Sequence, residues 1–312
     1  MNGSTLRGEE KVRGLVPVLP TPVHADESID HAAVQRLAEY VLRYPFSAVW
    51  ALASAGEDEN LSDAQISDCT RTLVKHLGGR LPVIVKTSTP GVRQTIERTR
   101  ALAELGIDAT AIHFQHKMLG VDHMRRYFHE VADASPVPVF IYHNALRGAQ
   151  MPIDLLIELS SHPRIAGVKA GGSNLSELQR LCLMCDPDFS VLTAGGGQLL
   201  AGLAMGAAGH TAIPLLAFPE RAVKLAEYVA AGELDAARAQ QRVILEFIGR
   251  MPKLENREVN GEVKAVLELR GVMQRHVTAP FRSATDEEMQ RFQALIEELD
   301  LFDAGELARS GR

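Results

Sequence analysis

Apolar residues alternate between two patterns along the chain. Short runs rich in β-branched residues fall at Gly14–Leu19, Ala48–Ala53, Pro82–Lys86, Ala109–Phe114, Val137–Tyr142, Ile165–Lys169, Ser190–Thr193 and Ala208–Ile213. Each has the length of a buried strand. Between and after them come longer stretches with apolar positions at helical spacing: Asp30–Arg43, Asp63–Leu77, Val92–Leu105, Asp122–Ala134, Ile153–Ser160, Leu175–Cys185, Gly197–Met205 and Pro219–Ala231. Start signals support several of these helices. Ser62 precedes Asp63 and Gln65, Pro90-Gly91 breaks the chain before Val92, and Pro152 suits a first turn.

Eight strand–helix units in succession predict an α/β chain folded as a (β/α)8 barrel, the TIM barrel. A doubly wound open sheet would have fewer strands and a glycine-rich first turn, whereas the turn here is Pro20-Thr21-Pro22. The polar opening, residues 1–12, reads as a loose arm, and residues 13–231 as the barrel. Residues 232–312 read as a three-helix extension, with helical patterns from Gly232 to about Arg250, over Gly261–Val272 and over Asp286–Leu299.

Charge and composition remove several functional classes. A net charge of −6 lacks the basic footprint of a nucleic-acid partner. It leaves room for a small anion in a locally positive pocket. No run approaches the roughly 18 apolar residues of a membrane span. Cys182 and Cys185 have the CxxC spacing of redox and zinc sites, but they sit in a helical stretch. The chain's third cysteine, Cys69, supplies no second pair, so packed thiols are expected. The odd cysteine count and the lack of an apolar leader point to a cytoplasmic protein.

In a barrel, chemistry gathers at the C-terminal ends of the strands. Lys169 ends the sixth strand and Lys86 the third. Burial of either amine favours the neutral form that attacks a carbonyl, and the residues alone do not choose between them. Tyr142 ends the fifth strand, where a phenol can relay a proton. The second strand runs into Ala53-Ser54-Ala55-Gly56-Glu57, a small-residue turn whose N–H groups suit a carboxylate. His113, His143 and His210 also mark strand ends. Together they leave open a metal-dependent lyase or hydrolase, although adjacent Tyr142 and His143 should face opposite ways.

These motifs, in this order, resemble the dihydrodipicolinate synthase / N-acetylneuraminate lyase superfamily of class I, pyruvate-type aldolases, from Gly14 to about Phe281. Gly14-Leu-Val-Pro-Val-Leu-Pro-Thr-Pro22 is similar to the family's first strand. Ala53–Glu57 resembles its G-[ST]-T-G-E loop, and Tyr142-His-Asn-Ala-Leu-Arg147-Gly148 its Y-N-x-P-x-R-T-G segment. Gly167-Val168-Lys169 resembles its Schiff-base strand, Gly206-Ala-Ala-Gly209 its eighth-strand turn, and Val263-Lys264-Ala265 a segment of its C-terminal helices.

The resemblance implies an imine on Lys169, a proton relay through Tyr142 and Ser54, and a substrate carboxylate at Ala55 and Gly56. Substrate contacts are further expected from Arg147, which matches the family's carboxylate-binding arginine, and from Thr211 and His143; the resemblance gives Lys86 no family role, so it is expected to shape substrate specificity or to pair with an acid. The expected substrate is pyruvate or a longer 2-oxo acid, with no cofactor and a homo-oligomeric assembly, dimer or tetramer. His113–Lys117 has no tyrosine where dihydrodipicolinate synthase takes one from a neighbouring subunit, and Gly195-Gly196-Gly197 stands where an acidic pair often follows the seventh strand. The expected activity is therefore another aldolase or dehydratase, or 2-oxo-acid binding without turnover.

Overall fold

The computed structural model describes residues 5–144, 148–171, 173–254 and 260–302. Its strands are β1 (Gly14–Pro17), β2 (Val49–Ala51), β3 (Val83–Lys86), β4 (Ala109–Ile112), β5 (Val139–Asn144), β6 (Ile165–Gly171), β7 (Ser190–Ala194) and β8 (Gly209–Ala212). All pair in parallel in the order β1-β8-β7-β6-β5-β4-β3-β2. The parallel bridge between Val18 and Trp50 and the bond from Leu19 N–H to Trp50 C=O (2.8 Å) close β1 onto β2. The (β/α)8 barrel read from the hydrophobic pattern is thus the architecture of the chain.

The helices that wrap it are α1 (His31–Val41), α2 (Asp63–Leu77), α3 (Val92–Ala103), α4 (Val121–Ala134), α5 (Ile153–Ser160), α6 (Leu175–Met184), α7 (Leu199–Ala204) and α8 (Pro219–Ala230). Ser62 and Gln65 form a complete capping box at the start of α2, which stabilises that helix end by satisfying two N–H groups that have no partner within the helix. Most expected boundaries shift by one to three residues. The largest extensions, two residues each, are at the ends of β5 and β6, which run on to Asn144 and Gly171 because they pair as far as Asn144↔Gly171. Among the described residues no helix is long and apolar enough to cross a membrane.

The opening segment departs from the loose arm expected for it. From residue 5 it is seated on the base of the barrel. Leu6 and Val12 are buried. Arg7 donates to the carbonyls of Ser160 (3.0 Å), His162 (3.2 Å) and Ile165, and pairs with Asp186 at 3.1 Å. The polar residues there occupy carbonyls left over at the end of α5, so a polar sequence is consistent with an ordered segment.

Beyond the barrel lie α9 (Leu234–Arg250), α10 (Asn260–Leu269) and α11 (Asp286–Glu298). α10 reaches back to the turn after β2. Lys264 and Glu57, both fully buried, pair at 2.6 Å. The other Glu57 carboxylate oxygen accepts from the Thr278 N–H (2.7 Å) and hydroxyl (2.8 Å). Asn260 Nδ2 donates to the Ser54 carbonyl at 3.1 Å. Burial lowers the Lys264 ammonium from its ordinary range, and Glu57 opposes that shift.

Removing one member of a buried pair strands the other's charge, at a cost of about 3–5 kcal/mol. Lys264→Met is therefore expected to lower unfolding free energy by about that amount in urea titrations. The double variant Glu57→Gln/Lys264→Met should lose less than the two single losses added together. A Lys264→Met midpoint unchanged from wild type would contradict the clamp.

Candidate active site

Residues paired across a parallel sheet share a face, and faces alternate along each strand. Trp50 pairs with Ile84, so Lys86, two residues on, points the same way. Lys86 pairs with Ala111, Ala111 with Phe140, and Phe140 with Gly167. Trp50 and Phe140 pack edge to face with ring centroids 5.9 Å apart, which makes this the inner face. Tyr142 and Lys169 are the next inward pair up β5 and β6. Gly167 cannot carry a side chain, since a Cβ there would stand 2.5 Å from the Phe140 ring and 2.6 Å from the Ser190 carbonyl.

Lys169 is buried at 8% exposure. Its Nζ lies 4.9 Å from the centroid of the Tyr142 ring and 5.4 Å from that of Trp50. Aromatic faces tolerate either the cation or the neutral amine. Tyr142 Oη meets Ser54 Oγ at 2.8 Å. The structure therefore brings together the three residues expected to carry chemistry: the amine, the phenol and the hydroxyl.

Ser54–Gly56 form a single 3-10 turn flanked by Leu52 (φ 50°) and Glu57 (φ 59°). Left-handed backbone at non-glycine residues costs about 1–2 kcal/mol each. The buried partners of Glu57 and the Asn260–Ser54 bond offset it. Gly56 is required by space: a Cβ would stand 3.2 Å from Thr21 Oγ1 and 3.3 Å from the Leu19 carbonyl. Thr21 donates to the Gly56 carbonyl at 2.6 Å. Ala55 is buried beside it.

The other expected substrate residues separate. Thr211 pairs with Val16 and Ala194 on the inner face and is fully buried, its hydroxyl without a protein partner among the described residues. Lys86 points inward as expected, but its ammonium is engaged by buried Asp58, with Glu59 at 4.0 Å. An ammonium held this way is a poor nucleophile and has little left for a substrate. His143 pairs with Ala170 on the outer face, where its Nε2 is 3.5 Å from Gln150; burial holds its imidazole below the usual range. The substrate contact expected of His143 is corrected accordingly. Arg147 lies outside the described residues.

The histidine-metal alternative is corrected too. His113 faces inward against Tyr142, with ring centroids 5.7 Å apart, and its Nδ1 meets Ser88 Oγ at 2.8 Å. His143 and His210 face outward. Among the described residues no group of three or more His, Cys, Asp or Glu side chains is placed to hold a metal ion. Cys182 and Cys185 are half-buried at the end of α6. Burial pushes both thiols up, Cys185 to about 11, away from a reactive thiolate.

Asn144 was not among the residues expected here. Its Nδ2 donates to Tyr142 Oη at 3.0 Å. The signal was available, because a residue two positions beyond Tyr142 on one strand shares its face. The expected end of that strand at Tyr142 concealed it.

His210 carries a stability prediction. Its Nδ1 meets Thr193 Oγ1 at 2.7 Å. Burial, with Lys169 adding to it, pushes the imidazole from 6.5 down to about 3. Below about pH 6.5 the unfolded chain binds a proton that the folded chain refuses, so stability falls as pH drops from there toward 3. Between pH 7 and 5, wild type should lose about 2 kcal/mol more than His210→Gln in urea unfolding. Equal losses would show that this histidine is not held neutral.

Comparison with known proteins identifies the family and the fold. The model of the dihydrodipicolinate synthetase family matches residues 11–299. A 4-hydroxy-tetrahydrodipicolinate synthase from Stenotrophomonas maltophilia is 29% identical over 231 residues, covering 72% of this chain and 77% of that protein. A protein of Emericella nidulans named "Probable 4-hydroxy-2-oxoglutarate aldolase, mitochondrial" is 31% identical over 250 residues, covering 74% and 79%. A sialic acid aldolase of Ruminococcus gnavus, solved as a catalytic lysine mutant, superposes with a TM-score of 0.86 over 94% of this chain and 97% of that one. Its identity is 23%, so it speaks to the fold alone. The matched residues span nearly the whole chain, and the chain belongs to the dihydrodipicolinate synthetase family.

Proposed function

We propose that the protein is a class I lyase, an aldolase or dehydratase, that forms a Schiff base between Lys169 and the keto carbon of pyruvate or a longer 2-oxo acid. The observation that carries this reading is the buried Lys169 amine held over the Tyr142 ring, with the Tyr142 hydroxyl bonded to Ser54 at 2.8 Å. Family membership supports the class of chemistry.

In this reading Lys169 Nζ attacks the keto carbon and gives a carbinolamine. The Tyr142–Ser54 pair delivers a proton to its hydroxyl, which leaves as water. The resulting iminium accepts electrons, so no organic cofactor or metal is required. Either the bond beyond C3 then breaks, as in an aldolase, or a C4 hydroxyl departs, as in a dehydratase. The opening N–H groups of a helical turn have no partner within it, so those of Ser54 and Ala55, with the compact Gly56, suit the substrate carboxylate. Thr211 offers a further hydroxyl from β8, with only β1 between that strand and β2. With no tyrosine in His113–Lys117, the substrate is one other than that of dihydrodipicolinate synthase.

Reduction with borohydride in the presence of pyruvate, followed by peptide mapping, tests the assignment. The adduct is expected on the peptide bearing Lys169, to disappear in Lys169→Arg and to persist in Lys86→Met. An adduct on Lys86, or none with several 2-oxo acids, would overturn it. The family resemblance also supports a homo-oligomer, as do the exposed apolar side chains Met118, Val121, Leu175, Leu183 and Met184. Sedimentation equilibrium should give a multiple of 34.0 kDa, and a monomer would contradict this.

A further inference from the structure

We propose that Asn144 is a positioning residue for Tyr142: its side-chain amide donates to the phenol oxygen and directs the phenol proton to Ser54. The inference rests on the Schiff-base reading for what that proton does, but not for where it points.

Asn144 and Tyr142 leave β5 on the same face. Asn144 Nδ2 is 3.0 Å from Tyr142 Oη, and Ser54 Oγ is 2.8 Å from it. The residue opposite Asn144 on β6 is Gly171, so no side chain contests the amide's approach from that strand. Asn144 is also fixed through its backbone, where its carbonyl accepts from the Gly148 N–H at 2.9 Å.

A phenol has one proton and two lone pairs, and an amide N–H can only donate. Of these two neighbours only Ser54 can accept the phenol proton, because the amide N–H cannot. This orders a contact that distance alone leaves ambiguous. Tyr142 donates and Ser54 accepts, and the Ser54 proton is left to be aimed at the substrate.

The order matters at the dehydration step. Ser54 passes its proton to the carbinolamine hydroxyl, which leaves as water, and takes the phenol proton in return. The negative charge then rests on Tyr142 Oη, where the Asn144 N–H still donates. A hydrogen bond to an ionised oxygen is stronger than one to the neutral group, so the same contact favours the product of the transfer.

Among the described residues, Lys169 from β6 and His113 from β4 are titratable groups against the Tyr142 ring. The neighbours from β2 and the turn after it, Trp50 and Ser54, carry no charge. Changing Asn144 leaves all four in place.

Two variants test the proposal. Asn144→Leu keeps the branched outline of the side chain and removes the donor, and Asn144→Asp keeps the shape and replaces the donor with an acceptor. The first readout is the titration of Tyr142, followed by ¹³C NMR of ring-labelled tyrosine and assigned with Tyr142→Phe. It needs no substrate. The midpoint is expected to move upward by about one pH unit in Asn144→Leu and further in Asn144→Asp. No movement in either variant, or a downward movement in Asn144→Leu, would overturn the proposal, because a merely structural asparagine does not set this midpoint.

The second readout is exchange of the C3 hydrogens of pyruvate in deuterated water. The turnover rate is expected to fall about 10- to 100-fold with KM held within a few-fold, while borohydride still traps the imine on Lys169. A fall confined to KM would contradict the positioning role. If wild type itself traps no imine, the Schiff-base reading fails, and the NMR titration alone decides the role of Asn144.

Discussion

The register of β5 against β6 is the constraint on which the site depends. It sets Tyr142 beside Lys169 on the inner wall and continues one pair further to Asn144 and Gly171. Side chains alternate with a period of two, so a slip of one residue would turn all of these outward and bring His143 and Ala170 in. The register is protected from below, where Gly167 admits the Phe140 ring and Phe140 packs on Trp50. A floor of apolar rings thus carries the row above it, and the Lys169 amine lies over the Tyr142 and Trp50 rings.

The wall opposite that row is held by charge. The Ser54 turn runs into two buried ion pairs, Glu57 with Lys264 of the C-terminal helices and Asp58 with Lys86 of β3. Left-handed backbone at Leu52 and Glu57 would not persist in an unsupported loop. The C-terminal helices therefore contribute to the site through these supporting contacts. They fix the turn from which Ser54 reaches Tyr142. The two inward lysines differ in the same terms: one is engaged by a carboxylate and the other lies against aromatic rings.

The barrel was legible because strand–helix alternation is a coarse signal that survives errors at each boundary. Lys169, Tyr142 and Ser54 were legible as strand-end residues with familiar neighbours. The exclusion of His143 from the interior also follows from alternation alone, since it adjoins Tyr142. Three features were not legible. Pairing with an acid was one of the two roles expected of Lys86, but not which acid: Asp58 lies in a different strand–helix unit and carries no local mark of its partner. The seated opening segment looks polar because its residues, Arg7 above all, satisfy backbone carbonyls in place of filling a core. The reach of Asn144 depended on two further residues of strand pairing, which only the partner strand specifies.

The central claim is that Lys169, and no other amine, bonds covalently to the keto carbon of the substrate beside the Tyr142–Ser54 pair. A crystal structure of the protein soaked in pyruvate tests it most directly. The account predicts continuous density from Lys169 Nζ to the keto carbon, with the pyruvate carboxylate at the Ser54–Ala55 turn and the Asn144–Tyr142–Ser54 chain intact. Continuous density at Lys86, or pyruvate bound at the barrel mouth with an unmodified Lys169, would contradict it.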